Sequence, residues 1–339
     1  MTAETSIYKS RKTYEVTSPT RRIVIGALFI LVAGLIYFSM VRKVEPLAQT
    51  TFGLNVDEKI VRIPDLVFNS RLALYVITGI FTGVGLYEII RGFKKYTNTV
   101  ISLMGALFVV GFLAWGASGS SINMTGLLSV MVIRAVPITI GALAGLMCER
   151  AGVVNIAIEG MMISGAFAGA ILGSLFGLWV ALIGAILVGA LMALVHGVLS
   201  IKYKVNQIIS GTVINIFSIG LTSYLFKKFL QMPEFQHLNQ SGFFKPIAIP
   251  LLSKVPILGP IFFNHNIFIY LMYILVVLIT IALFKTRWGL RLRSVGEHPK
   301  AADTLGINVF RTRYMAVIMG GMLAGLGGSY FSLGSVGRF

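Results

Sequence analysis

An asparagine and a glutamate stand four residues apart in the apolar stretch GVVNIAIEG, residues 152–160. Residues at this spacing lie on one face of an α-helix, so Asn155 and Glu159 would project together. On a helix spanning 152–177, Glu159 is the eighth residue, which places it about 10 Å along the helix, toward the middle of a bilayer. A carboxylate at that depth usually faces a bundle interior or a watery cavity. Two roles follow. Glu159 contacts a polar solute, or it holds helices together through a hydrogen bond to Asn155 or an ion pair with Arg134.

A second set of polar residues lies on the predicted helix 207–226. Gly211, Asn215, Ser218 and Thr222 recur at intervals of four, three and four, which gives one stripe of small and polar groups. The stripe either lines a path for an uncharged polar solute or hydrogen-bonds to a neighbouring helix. The candidate path residues are Asn155, Glu159, Asn206, Gln207, Asn215, Ser218 and Arg134.

The elements that position these residues are predicted to be membrane helices. The chain is 56% hydrophobic and 12% charged, about half the charged share of a soluble domain. The sequence therefore predicts an all-α integral membrane protein, a polytopic helical bundle of about nine transmembrane helices. The predicted spans are 23–41, 72–90, 100–117, 127–147, 152–177, 179–200, 207–226, 267–284 and 314–334.

The strong basic charge, +17, has a topological explanation. With the N-terminus in the cytoplasm, 18 of the 29 Lys and Arg residues fall in cytoplasmic segments, as membrane proteins generally show. We therefore expect membrane lipids as partners and no nucleic-acid binding. The first span has no cleavage site after it and is predicted to be retained. One cysteine, Cys148, excludes an internal disulfide.

Glycines recur at helical spacing in three predicted spans. Gly165, Gly169, Gly173 and Gly177 are four residues apart, and 141/145 and 321/325 repeat the same spacing. Such stripes let helix backbones approach closely inside a membrane. We interpret them as packing surfaces.

The inner loop 286–314 carries the strongest signal for an ordered element outside the membrane. Pro299 suits the first turn of a helix and Gly306 the position just past its end, which predicts a short helix over about 299–305. Ala301, Ala302 and Leu305 would give this helix a shallow apolar edge that fits a groove on a partner. The alternative is a solvated basic loop at the lipid surface.

Catalytic and metal-binding patterns are absent from the sequence. It contains no phosphate-binding loop, no HExxH pair and no Ser-His-Asp set, and its four histidines are scattered. We expect a chain that is not an enzyme and that binds neither metal nor cofactor. A membrane-embedded enzyme should show clustered His, Asp or Cys residues.

Two long segments resemble the membrane permease subunits of bacterial ABC importers. ERAGVVNIAIEGMMISGA and FKTRWGLRLRSVGEHPKAADTLGINVFRTRY are similar to the branched-chain amino acid and simple-sugar superfamily, most closely to its nucleoside permeases. PIAIPLLSKVPILGPIFF and MLAGLGGSYFSLG resemble the same subgroup. The resemblance covers about 124–337, while the first hundred residues match poorly.

The resemblance implies a permease that works with several partners in a bacterial plasma membrane. They are a homologous permease or a second copy, cytoplasmic subunits that bind ATP and magnesium, and an extracytoplasmic solute-binding lipoprotein. It also implies that the inner-loop helix is the family's coupling helix. The implied ATPase-coupling residues are Glu297, His298, Pro299, Ala301, Ala302, Asp303, Leu305 and Gly306.

The predicted organisation is a cytoplasmic tail (1–22), an extension with about three helices (23–123) and a permease core (124–339) with its coupling loop at 285–313. Family members usually continue with further helices, so we expect the core to be C-terminally incomplete. The predicted function is nucleoside import driven by partner ATPases. The alternatives are a permease for a simple sugar or a branched-chain amino acid, a proton-coupled secondary transporter, and a purely structural subunit.

Overall fold

The computed structural model describes residues 19–55 and 63–339. The chain divides into two compact units, Met1–Thr125 and Gly126–Phe339, each of which is described by itself. The cytoplasmic tail predicted for 1–22 lies, up to residue 18, outside the described residues. In the described part, nine helices are long and apolar enough to cross a membrane, which confirms the predicted multi-pass helical protein.

The first unit packs three helices beside a small sheet. The helices are α1 (Pro19–Leu35), α2 (Ser70–Ile90) and α3 (Thr97–Gly116). The strands are β1 (Gln49–Gly53), β2 (Leu66–Asn69) and β3 (Ser121–Asn123), with β1 central, antiparallel to β2 and parallel to β3. The short strands carry few alternating residues, and the sequence analysis did not predict them.

A buried carboxylate ties α2 to α3. Glu88 is fully buried and accepts hydrogen bonds from Phe93 N–H at 2.7 Å and from the Thr97 hydroxyl at 3.3 Å. Arg22 donates to the carbonyl of Ile89 at 2.9 Å. These bonds satisfy polar groups at the end of α2 that would otherwise be left without partners.

The second unit is a bundle whose central element is the last long helix. In chain order its helices are α4 (Met124–Arg150), α5 (Ile158–Phe176), α6 (Leu178–Gly197), α7 (Gln207–Leu225), α8 (Leu258–Phe262), α9 (Ile267–Lys285), α10 (Arg287–Glu297), α11 (Pro299–Thr304) and α12 (Val309–Ser329). A π-helical segment, Tyr330–Val336, continues α12, and together they are the most buried of the nine spans.

Glycines let α12 contact two neighbours at backbone distance. A Cβ added to Gly165 of α5 would lie 2.7 Å from the Gly325 carbonyl oxygen, and one added to Gly189 of α6 would lie 2.7 Å from Gly325 Cα. Both distances are too short for a real side chain. The close packing that the glycine spacing predicts is therefore present at 165, 321 and 325, between α5, α6 and α12. At 141 and 145 of α4 an added Cβ would make only ordinary side-chain contacts, so the backbone approach predicted there is absent from the described part of the chain.

The connection between α7 and α9 is ordered and contains a small hairpin. Strands β4 (Ile247–Ala248) and β5 (Asn264–His265) pair antiparallel around α8. The Tyr270 hydroxyl of α9 donates to the Ile247 carbonyl at 2.7 Å, which fixes the hairpin to the bundle.

The inner loop folds into two helices, α10 and α11. The α11 helix starts at Pro299, after His298, whose Nδ1 accepts from Ala301 N–H at 3.1 Å. Past its end, Gly306 has φ +79° and Ile307 N–H donates to the Ala302 carbonyl at 3.1 Å. The short helix predicted from Pro299 and Gly306 is thus present.

Candidate functional site

The chain between α4 and α5 is not helical, and this changes the geometry of the candidate site. The α4 helix ends with Gly152 at φ +73°, and Val153 N–H donates back to the Cys148 carbonyl at 3.1 Å. Residues 153–156 then run without helical structure, and α5 begins only at Ile158. The prediction that Asn155 and Glu159 share one helix face is wrong, because Gly152 closes the first helix and Asn155 precedes the second.

Side chains from α6 and α7 form hydrogen bonds with the backbone of this non-helical segment, residues 153–156. Val154 N–H donates to Gln207 Oε1 at 2.7 Å, and the Val154 carbonyl lies 3.2 Å from His196 Nε2. A carbonyl oxygen only accepts, so Nε2 carries the proton in this contact. His196 is fully buried, and its Nδ1 faces the Ser210 hydroxyl at 3.2 Å. Backbone groups that no helix satisfies therefore find side-chain partners.

Asn215 of α7 caps the start of α5. Its Oδ1 accepts from Gly160 N–H at 2.7 Å, and its Nδ2 donates to the Ile156 carbonyl at 2.9 Å. A Cβ on Gly160 would lie 2.8 Å from that Oδ1 and 2.9 Å from Ser218 Oγ, so only glycine fits. Asn215 is eight residues into α7, or about 12 Å along it. The α5 helix thus begins level with the middle of a membrane-length helix.

Glu159, the second residue of α5, opens onto a cavity of about 830 Å³. The cavity lies between α5, α7 and the last residues of the chain, and it combines an apolar wall with a few polar groups. Its lining residues are Ile158, Glu159, Met162, Ile163, Ala166, Ile219, Thr222, Ser223, Phe331, Ser332, Val336, Arg338 and Phe339. This size and this mixed lining are typical of small-molecule sites.

Within residues 19–55 and 63–339, the Glu159 carboxylate forms neither a hydrogen bond nor an ion pair. The Asn155 amide is engaged elsewhere, since its Oδ1 accepts from Ala157 N–H at 3.0 Å. Neither predicted structural contact of Glu159, the hydrogen bond to Asn155 or the ion pair with Arg134, is present. The carboxylate is free to accept hydrogen bonds from whatever enters the cavity.

The other candidate path residues do not line this cavity, and their role in transport stays a prediction. Asn206 and Gln207 line a second cavity of about 420 Å³ with Val154 and Lys204. Ser218 is buried, and its hydroxyl has no partner in the described part of the chain. Arg134 is exposed on α4 and lines neither cavity.

The predicted coupling residues surround α11, but they do not share one exposed edge. Ala302 is only 2% exposed, whereas Leu305 is 80% exposed. The expectation that Ala302 belongs to an apolar docking edge is wrong, because its methyl group packs inside this chain. Six coupling candidates remain at least partly accessible beside Leu305: Glu297, His298, Pro299, Ala301, Asp303 and Gly306.

Sequence reasoning missed His196 and Gly160. His196 was one of four scattered histidines, although a single polar residue in the apolar run ALVHGVL signals a partner inside the bundle. Gly160 lies next to Glu159 but outside the glycine stripe, so its spacing gave no signal.

We expect Asn215→Leu to destabilise the second unit. The change leaves Gly160 N–H and the Ile156 carbonyl without their side-chain partner, and a polar group that loses its partner away from water costs about 1–3 kcal/mol. The midpoint of thermal unfolding in detergent should fall by several degrees. Thr212→Val is the matched control, because Thr212 is exposed on the same helix and bonds only to the Ile208 carbonyl of its own helix. Equal midpoints for the two variants would contradict the capping role.

A multi-pass helical bundle in which a non-helical segment leads to a cavity of about 830 Å³ is typical of membrane transport proteins. A family model described as branched-chain amino acid transport system / permease component matches residues 126–338. The chain belongs to this family of transport-system permeases.

Several relatives are named transporters. The chain is 38% identical over 222 residues to the guanosine ABC transporter permease protein NupQ of Bacillus subtilis, covering 62% of this chain and 69% of the relative. It is 37% identical to a nucleoside ABC transporter permease protein of Lactococcus lactis, with 62% and 68% covered. A putative glucose ABC transporter permease protein of Haloferax volcanii is 36% identical, with 61% and 63% covered. No solved structure matches the chain.

Proposed function

We propose that this chain is the membrane-spanning permease subunit of an ATP-driven importer that carries nucleosides. The observation that carries the proposal is the 38% and 37% identity to permeases named for guanosine and for nucleosides. The cavity at Glu159 supports it. A nucleoside is uncharged and rich in hydrogen-bonding groups, which suits a carboxylate acceptor together with the hydroxyls of Thr222 and Ser332.

The proposal includes the partners that an ABC importer requires. Two cytoplasmic subunits would bind ATP and magnesium and dock at α11, a homologous permease or second copy would complete the pathway, and an extracytoplasmic lipoprotein would deliver the solute. The excess of Lys and Arg in alternate connections supports an N-terminus in the cytoplasm of a bacterial cell.

Affinity purification from native membranes, followed by uptake in liposomes, tests the proposal. We expect an ATPase and a second permease to co-purify in stoichiometric amounts, and unlabelled nucleosides to compete with labelled guanosine for ATP-dependent uptake. Competition by glucose instead would favour a sugar permease, the second candidate, which the Haloferax relative supports. Uptake that persists without ATP in a proton gradient would contradict an ATP-driven importer.

We expect Glu159→Gln to reduce nucleoside uptake about tenfold or more, because a hydrogen bond to a charged group contributes about 1.5–3 kcal/mol. Uptake in liposomes, normalised to assembled complex, measures the effect. Glu149→Gln is the matched control, since Glu149 is an exposed carboxylate at the end of α4. Unchanged uptake in Glu159→Gln would remove this carboxylate from the mechanism.

A further inference from the structure

The non-helical segment between α4 and α5 begins in direct contact with the inner loop. A Cβ on Gly152 would lie 3.2 Å from Gly296 Cα, and a Cβ on Gly296 would overlap the carbonyl oxygen of Arg150. The guanidinium of Arg313, on α12, donates through Nε to the Ala151 carbonyl at 3.2 Å. Only glycines fit this contact, so the α10 end lies directly against residues 150–152.

The end of α10 is also joined rigidly to α11. Leu292 and Val295 of α10 are fully buried, and His298 N–H donates to the Ser294 carbonyl at 3.0 Å. His298 then caps α11 through its ring nitrogen. Only two residues, both within this hydrogen-bonded connection, separate Gly296 from α11.

The far end of the segment leads to the cavity. Asn215 holds the Ile156 carbonyl and Gly160 N–H, and Glu159 lies between these two residues. In the middle, Val154 is held by Gln207 and His196. One short stretch of irregular backbone is thus attached to the inner loop at its start and to the cavity wall at its end.

We propose that residues 151–157 form the link that carries displacement of α10 and α11 to the Glu159 cavity, with Gly152, Gly296 and Arg313 as positioning residues. This inference rests on the proposed function, because it takes the ATPases to act at α11. The non-helical backbone changes its dihedral angles without breaking a helix, and Gly152, at φ +73°, is the hinge where α4 ends. The hydrogen bonds of Asn215 to the Ile156 carbonyl and to Gly160 N–H join the end of that segment to the α5 start.

Arg313→Gln tests the link in the complete complex. The variant keeps the inner loop intact but loses the charged donor to the Ala151 carbonyl. We expect nucleoside transported per ATP hydrolysed to fall about fivefold, while assembly and ATP hydrolysis persist. Arg311→Gln is the matched control: it removes the same charge two residues earlier, where the side chain is exposed. Equal transport per ATP in the two variants would overturn the proposal.

A labelling measurement follows movement of the segment without depending on transport. Val154→Cys places a thiol at a side chain that is 50% exposed, while the native Cys148 is buried. We expect the rate of maleimide labelling to differ severalfold between the nucleotide-free and the ATP-trapped complex, and Arg313→Gln to remove that difference. Identical rates in the two states of the Val154→Cys complex would show that the segment does not move and would overturn the link.

The two proposals fail in different ways. A wild-type complex without ATP-dependent nucleoside uptake contradicts the proposed function before any variant is compared. A wild-type complex that transports nucleosides, with Arg313→Gln indistinguishable from Arg311→Gln, contradicts only the link.

Discussion

Replacing Gly325 by leucine is expected to abolish accumulation of folded protein in the membrane. The backbone of Gly325 contacts α5 at Gly165 and α6 at Gly189, and a Cβ added to it would overlap the Ala185 carbonyl oxygen. A leucine must therefore separate α12 from both neighbours. Overpacking a dense core costs about 1–3 kcal/mol even when side chains can move aside, and here the obstacle is backbone.

The measurement is the yield of monodisperse protein after detergent extraction, compared with that of Gly220→Leu. A Cβ at Gly220 of α7 meets no atom within 4 Å, so the same change in size and helix propensity occurs without a clash. We expect the Gly220 variant to accumulate like the wild type and the Gly325 variant to be lost. A normal yield of Gly325→Leu would mean that α12 can move away from α5 and α6 without loss of the fold.

The helices themselves could be predicted because the bilayer imposes one strong requirement on them. Long uncharged runs have few alternatives to a spanning helix, since backbone polar groups need internal partners in hydrocarbon. The glycine spacing at 165 and 325 likewise predicted close helix contacts. The short helix α11 was predictable from Pro299 and Gly306, whose conformational preferences act locally and need no knowledge of the rest of the fold.

The non-helical segment before α5 could not be predicted from hydropathy, because an apolar run has the same hydropathy whether or not it is helical. The bonds that stabilise it come from Gln207, His196 and Asn215, which lie 40 to 60 residues away in the chain. A local signal did exist. Gly152 follows the end of α4, and the Val-Asn pair before α5 recurs before α7, where Asn206 accepts from Ile208 N–H.

Burial of individual inner-loop residues also depended on tertiary contacts. Ala301 and Ala302 are chemically identical in the sequence, yet Ala302 is 2% exposed and Ala301 is exposed. Which alanine faces outward depends on how α10 and α12 approach α11, and a six-residue helix has no periodicity that would tell. The docking hypothesis for this loop therefore depends on Leu305.

Leu305→Asp is expected to release the proposed ATPase partners while leaving the permease folded. Leu305 is 80% exposed directly after α11, so an aspartate there meets water in the isolated chain and disturbs no internal packing. In an assembled complex the same carboxylate would enter an apolar groove. Loss of a central apolar anchor costs about 2 kcal/mol or more, a roughly thirtyfold weaker association.

Co-purification of the ATPase with the tagged permease measures this release, with the thermal midpoint of the permease as the check on folding. Leu47→Asp is the matched control, because Leu47 is 88% exposed and lies in a connection predicted to face the other side of the membrane. We expect the control to retain the ATPase. Wild-type recovery of the ATPase with Leu305→Asp would place the docking surface elsewhere on the inner loop. Ala302→Asp cannot substitute for this test, since it buries a charge and lowers stability whether or not a partner docks there.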